Sequence, residues 1–478
     1  MKTPFSMWFA LSGLVLLTAC PGGGGSGSGN FTLGGGTTTV VYRADQSIDT
    51  VEELFAVSSG ARLNPILGAT KTVQAFAITP DSSAVVYIAD QDSSILPELY
   101  RVSLATPGIS IKLNGALTGT TGVQAFKLIP DGSGVVYLAD QDTDGVNELY
   151  RVLFSSPGTT AKLNGTLVTG GDVLDFDVAA NSASVVYRAD QDTDTVIELY
   201  QTVLSGLSRS KLHSAYTAGK SVSAFKLLPD SSGVVYVANQ TTNTVTELYR
   251  TVFGGAQGTT INHALVAGGN ISDVVVSPDS ASVVYRADQD TDGVIELYRV
   301  ALSAPTVSVK VNGPLVSGGN VSSTYRITQD SGSVVYIADE SVDERFELYR
   351  TVFSPLARTV LTGTRIIGSQ DVYDVAVIPD SSGVVYIADE TAAGTREVFR
   401  VLFASPTSST KINPAFASGR QAQELAVSSD STTVYYRANQ TSAGVVELYR
   451  AIFTAAGVST TLNGSLGTGG NVTAFAFK

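Results

Sequence analysis

The sequence predicts an all-β fold, a closed β-propeller of about nine four-stranded blades whose ring is closed by the C-terminal strand. Three observations carry that prediction. A tyrosine recurs at Tyr42, Tyr87, Tyr137, Tyr187, Tyr236, Tyr285, Tyr336, Tyr386 and Tyr436, at spacings of 45, 50, 50, 49, 49, 51, 50 and 50 residues. A period near fifty belongs to propeller blades or a solenoid. Each period carries four strand signals. The first clear strand, Val40–Ala44, is the second of its unit, whereas the last residues, Val472–Phe477, read as a first strand. A ring needs that phase, and an open solenoid does not.

The third unit shows the elements in order. Strand A is Val123–Leu128, followed by the turn Pro130-Asp131-Gly132-Ser133. Proline pre-sets φ at the second turn position, and Asp, Gly or Ser suit the positions after it. Strand B is Val135–Ala139, and an acidic loop, Asp140–Asn147, joins it to strand C, Glu148–Leu153. Strand D is short, Ala161–Asn164, and a Gly-rich return (Gly170-Gly171) leads to the next unit. The run VVYLA is apolar on both faces, as expected of a strand covered on both sides by neighbouring blades. Strand D is more polar, which suits an outermost edge. For the first strand A there are two candidates. Phe31-Thr32-Leu33 lies nine residues before Val40, as Phe126 does before Val135, but it lacks the preceding Val-x-Ala of the other units.

Composition agrees with a single repeat domain over 37–478. Hydrophobic residues reach 43% and charged residues only 15%, with 47 glycines. The net charge of −13 argues against nucleic acid and anionic membrane surfaces, which select for Lys and Arg. The one cysteine, Cys20, excludes a disulfide framework.

The N-terminus, MKTPFSMWFALSGLVLLTAC, has Lys2, an apolar run from Met7 to Leu17, and then Leu17-Thr18-Ala19-Cys20. It resembles a bacterial lipoprotein signal with its lipobox. The resemblance implies cleavage after residue 19 and acylation of Cys20, and two or three acyl chains anchor stably where one is marginal. The apolar run is too short to span a bilayer. Residues 20–36, including PGGGGSGSG, then form the lipidated cysteine and a flexible tether.

The series Pro-Asp-Gly/Ser, VVY, acidic loop, Glu-Leu-Tyr-Arg-Val resembles the TolB-like propeller repeat. The turn dipeptide stands at Pro80-Asp81, Pro130-Asp131, Pro229-Asp230, Pro278-Asp279 and Pro379-Asp380, and has drifted at Ala180-Asn181, Gln329-Asp330 and Ser429-Asp430. WD and kelch repeats rely on tryptophan, and the only one here is Trp8. Nine units replace TolB's six, and no separate N-terminal domain is visible, so TolB's partners do not transfer.

The acidic loops are the sharpest candidate site. Asp140, Asp142, Asp144 and Glu148 stand at positions 1, 3, 5 and 9, with Gly145 at 6. Asp288, Asp290, Asp292 and Glu296 repeat this with Gly293, and Asp190, Asp192, Asp194 and Glu198 do so without the glycine. Hard cations want several carboxylate oxygens converging from one turn, and the spacing resembles the calcium loops of integrin-type propellers. Two loops, at Asn239 and Asn439, lack those carboxylates yet keep Glu247 and Glu447. A glutamate held where no cage can form reads as structural, pairing with a neighbouring arginine or bonding loop amides. The expectation is therefore loop capping and no cofactor, with calcium as the alternative.

Nucleophilic catalysis finds little support, for there is no Gly-x-Ser-x-Gly elbow. His213 takes the place of Asn164 in its own repeat and His263 follows the equivalent Asn262, as outer-strand drift would place them. Arginines follow the strand-C tyrosine or its equivalent (Arg101, Arg151, Arg250, Arg299, Arg350, Arg400, Arg450) and are expected to partner carboxylates. Together these features predict a monomeric lipoprotein of the bacterial cell envelope, held to the membrane by its lipid alone. Its propeller would act as a non-enzymatic scaffold for an envelope protein or polysaccharide. The alternative is a propeller enzyme of metal-dependent hydrolase or lactonase type, using acidic side chains at the channel mouth.

Overall fold

A computed structural model describes residues 38–92, 96–362 and 371–478. Cys20, the signal-like segment, the tether and Phe31-Thr32-Leu33 lie outside them. The described residues form nine antiparallel blades, eight of them four-stranded sheets in the order A-B-C-D. Among the described residues, helix is confined to one short 3-10 turn, Phe453–Ala455.

Each blade is built as its sequence dictates. In blade 3, strand B (Gly134–Ala139) is buried along its whole length. All nine recurring tyrosines are fully buried on this central strand. Each stacks on the ring opposite it on strand C, as Tyr137 does on Tyr150 at 5.5 Å. Each phenol donates to the second residue of its own acidic loop, as Tyr137 does to Gln141 Oε1 at 2.5 Å. A buried aromatic thus packs with its ring while its hydroxyl is satisfied. Strand A carries a bulge in its first half, between Val123 and Ala125 in this blade, and successive A strands lie against one another around the axis.

Strand D is Thr160–Lys162, two residues shorter at its C-terminal end than expected. Asn164 has left the ladder because its side chain has another task. Its Oδ1 accepts from the buried Leu149 N–H at 2.8 Å and its Nδ2 donates to Gly165 O at 2.9 Å.

The ring closes as the phase of the repeat requires. Val472–Phe477 pairs antiparallel with Val40–Ala44 and completes the first blade. That blade has three full strands, with its fourth reduced to a bridge between Phe55 and Arg62. The shorter first spacing explains this, since strand C there is only Glu53–Ala56 and turns straight back. Phe475, expected to be buried, is half-buried, as are Phe126 and Phe225. Innermost strands face the channel on one edge, so their rings are covered from one side only.

Polar stitches bind blade to blade on both faces. On the face of the A–B turns, a serine at positive φ (Ser182 at 60°, Ser231 at 61°, Ser280 at 59°) offers its hydroxyl to the preceding turn. Asp131 N–H donates to Ser182 Oγ at 2.9 Å, and the pattern continues through Ser231, Ser280, Ser331, Ser381 and Ser431. A non-glycine residue in that region is strained, and a bond across the seam offsets the strain. Blade 3 has Gly132 there, at φ 76°. On the opposite face, Asn147 N–H donates to Asp172 Oδ1 of the next blade at 2.7 Å, and Ile295 N–H to Asn320 Oδ1 at 3.0 Å.

Candidate functional site

The acidic loops and the Gly-rich returns share one face of the ring. In blade 3, Asp140 is fully buried, and its Oδ2 accepts from the amides of Thr120, Thr121 and Gly145 at 3.1–3.3 Å. Its Oδ1 is buried without a hydrogen-bond partner, which is the one feature of the loop that a cation would satisfy. Asp142 points away to Lys162 at 2.8 Å. Burial alone would raise the Asp142 pKa, but the adjacent Lys162 holds it below the usual carboxylate range. Asp144 accepts from Thr120 N and Oγ1, and Glu148 accepts from Lys162 and Tyr150.

The loops at Asp190 and Asp288 repeat the arrangement. Asp190 caps Asp172 N–H at 2.6 Å and Thr195 N–H at 3.1 Å, and Asp288 caps the Asn270 and Gly293 amides. Asp192 pairs with Lys211 and Asp290 with Lys310, at 2.8 and 2.9 Å. The same lysines reach Glu198 and Glu296 at 2.6 and 2.7 Å. Asp194 and Asp292 sit over the positive-φ Gly170 and Gly268, where an added Cβ would meet their carboxylates at about 3 Å. The first acid of each loop thus caps backbone amides, while the third and ninth share one strand-D lysine. Among the described residues no three of His, Cys, Asp or Glu gather as ligands for one ion.

The expected glutamate–arginine pair forms in two blades, Glu53 with Arg62 and Glu347 with Arg345, and Glu53, Glu198 and Glu397 each accept a backbone amide. The ninth-position glutamates pair mostly with a lysine of strand D rather than with an arginine. The recurring arginines meet ring faces and carbonyls of the following blade. Arg101 lies over Phe154 at 4.6 Å and Arg350 over Phe403 at 3.8 Å, while Arg151 donates to Leu204 O. Neither contact has a local signal, because both partners stand a full period away.

In blades 5 and 9, where the loop carboxylates are missing, strands B and C continue upward as a hairpin. They run over Gly233–Thr242 and Val245–Val252, and over Thr433–Ser442 and Val445–Ile452. Without an aspartate to cap the loop amides, the backbone satisfies itself through the ladder.

The sequence reading invoked acidic side chains at the channel mouth but named no residue of the channel wall. Its bulge positions are mostly amides and hydroxyls, including Gln74, Gln124, Ser223 and Gln423, all exposed. Beside them, Arg188 pairs with Asp175 at 2.6 Å, Arg286 with Asp273 at 3.3 Å, and Arg437 with Glu424 at 2.7 Å. The guanidinium groups also donate to strand-A carbonyls of the next blade, such as Val222 O and Val472 O. Opposite Asp374 stands Ile387 instead of an arginine. Burial raises the Asp374 carboxyl above its usual range, against the Val375 amide that its side chain accepts from and the nearby Arg326.

His213 performs the asparagine's task. Its Nε2 accepts from Leu199 N–H at 3.0 Å and its Nδ1 bonds Ser214 O at 2.7 Å, so the ring is neutral with the proton on Nδ1. Burial lowers its pKa from 6.5, opposed by the Ser214 bond and by Glu198, and aided by Lys211. A folded pKa below the unfolded one gives stability that is complete above about pH 6.5 and lost as pH falls through the folded value. Melts from about pH 7 to about pH 5 should show a loss of about 1 kcal/mol as the acceptor is protonated. His213→Asn, the residue of most sister blades, should remove that loss. An unchanged slope would overturn the assignment.

No family model matches the chain, and no curated protein matches it. Solved structures do resemble it. A eukaryotic initiation factor structure superposes with TM-score 0.56 at 10% identity, over 92% of this chain and 98% of that one. Dipeptidyl peptidase 4 from Porphyromonas gingivalis gives TM-score 0.54 at 11% identity, over 72% of this chain and 53% of that one. The chain thus spans about half the length of that peptidase. A TolB-type structure from Agrobacterium tumefaciens gives TM-score 0.33 at 15% identity, over 57% of this chain and 89% of that one, a likeness too slight to argue from. At these identities the likenesses show the propeller fold alone.

Proposed function

We propose that this protein is a lipid-anchored, non-enzymatic binding scaffold of the bacterial cell envelope, with Cys20 as its anchor and its loop face turned to an envelope protein or polysaccharide. The observation that carries the reading is the asymmetry of that face. Among the described residues, blades 1, 3, 4, 6, 7 and 8 join strands B and C by a loop whose amide is capped by its first aspartate, while blades 5 and 9 pair a stretch of the same length as hairpins tipped by Thr242-Asn243-Thr244 and Ser442-Ala443-Gly444. Variable loops on a rigid ring are a common site of recognition. Pull-down from native envelopes tests it, since trimming both hairpins should abolish capture of a specific component. Capture unchanged by trimming would refute the use of this face. Cys20→Ala should release the protein from membranes with its fold intact. A mutant still found in the membrane pellet after detergent-free fractionation would refute the anchor.

Two alternatives each have one supporting observation. For calcium it is the unpartnered Oδ1 of Asp140. A site saturated at about 100 times its dissociation constant stabilises by about 2.7 kcal/mol, and Asp142→Ala with Asp144→Ala would abolish that gain. The expected result is that EDTA leaves the wild-type Tm unchanged, and a large drop would establish the calcium loops. For a propeller enzyme it is Asp374, a channel carboxyl raised by burial, since shifted groups gather at reactive sites. A hydrolase activity lost in Asp374→Asn would favour that reading over the scaffold.

A further inference from the structure

Comparing the nine blades with one another exposes two sites that the chain itself leaves unfilled. In blades 2, 3, 4, 6 and 8, the strand-D residue registered opposite the strand-C ring is a lysine. Its ammonium lies 2.6–3.2 Å from the ninth-position glutamate. In blades 3, 4 and 6 it also stands 5.6–5.8 Å from the centre of the tyrosine ring. Blade 1 puts Arg62 in the same register, and blade 7 replaces the lysine with Val360 but brings Arg345 to Glu347 and Arg358 over Tyr349. The recurring unit is therefore a carboxylate and a ring that receive a cation.

Blades 5 and 9 keep the receptor and lack the cation. Thr260 stands opposite Tyr249, and Thr461 opposite Tyr449. Glu247 and Glu447 remain half-buried, and each accepts its tyrosine hydroxyl, at 2.8 and 2.6 Å. Thr241 and Thr441 replace the third-position aspartate and bond those same hydroxyls at 2.9 and 2.7 Å. Among the described residues, neither glutamate is in an ion pair. Both lie at the foot of the raised hairpins.

We propose that these two places bind a primary alkylammonium group carried by a ligand, a lysine-like stem ending in an ammonium. Half-buried carboxylates gain more from a cation than exposed ones, because water screens them less. The adjacent ring face adds attraction for a desolvated cation. Three N–H donors suit the free carboxylate oxygen and the threonine hydroxyl together, and the short threonine at the strand-D position leaves the space that a lysine stem fills elsewhere. The inference is independent of the scaffold reading, since it follows from the vacant register alone.

The test uses the full chain and n-butylammonium as probe, followed by ligand-observed saturation-transfer NMR. Wild type should bind it saturably. Thr260→Lys and Thr461→Lys, which rebuild the sister pairing, should each remove about half of the signal, and together nearly all of it. Glu247→Gln with Glu447→Gln should do the same. The lysine variants keep the test standing should the glutamine variants misfold. Tetramethylammonium, with the same charge and no N–H, should bind more weakly. The proposal is overturned by the absence of saturable binding, by a signal undiminished in the double lysine variant, or by equal binding of both cations.

Discussion

A chain lacking Gly470–Lys478 is expected to aggregate or be degraded, whereas one lacking Asn30–Leu33 should keep most of its stability. The deleted strand is the innermost member of blade 1, paired with Val40–Ala44 from end to end. Its pairing continues into Thr39, which exchanges backbone bonds with Lys478 at 2.8 and 2.9 Å. Val472 is fully buried and its carbonyl receives Arg437, so removing it strips a seam as well as a ladder. Phe477 stacks on Tyr435 of blade 9 at 4.6 Å. Truncating one buried phenylalanine costs about 3–5 kcal/mol. Phe475 and Phe477 are half-buried and stand at the low end each, but they go together with the backbone pairing. Strand B of blade 1 would then present an open apolar edge, which invites association with other chains. Thermal unfolding and size-exclusion chromatography of the two deletions check this. Equal stability would mean that the closing strand comes from the other end of the chain.

What could be read from the sequence is what repeats locally. The tyrosine period, the Pro-Asp turns and the apolar B strands each lie within one unit, and they placed strand C of blade 3 at the residues observed. The phase of the two chain ends located the seam. Three kinds of feature stayed hidden. Cross-blade partners lie about fifty residues apart, so nothing near Arg101 announces Phe154, and nothing near Asp131 announces Ser182. Loss of loop acids at Asn239 and Asn439 read only as a missing cage, whereas it also lets the backbone extend into a hairpin. The lysines that serve the ninth-position glutamates stand 13 or 14 residues downstream. That spacing means something only once the C–D register is known. His213 was read as drift, and only the shared acceptor bond shows that it preserves the asparagine's function.

Tyr137→Ala should destabilise the protein by about 3–5 kcal/mol, the cost of emptying a fully buried aromatic site. Tyr137→Phe should cost no more than about 0.5–1.5 kcal/mol. The two substitutions divide what the tyrosine does. Its ring is fully buried on the central strand, stacked on Tyr150 and packed among Val123, Val135 and Val152. Aromatic stacking of that kind adds about 0.5–1.5 kcal/mol beyond area burial. Its hydroxyl donates to Gln141 Oε1 and also meets the Gly115 amide and the Thr160 hydroxyl, and Gln141 reaches Thr160 through its amide at 3.3 Å. Phenylalanine retains the ring and loses only the hydroxyl's bonds at the edge of the loop, and strand C already tolerates the exchange, because Phe399 fills in blade 8 the place of Tyr150. Alanine removes the ring between two sheets that cannot close on the gap, since each neighbour is held by its own ladder. Urea unfolding should therefore show a large shift in midpoint for Tyr137→Ala and a small one for Tyr137→Phe. If the two shifts prove comparable, the recurring tyrosine serves its loop through the hydroxyl more than it serves the core through its ring.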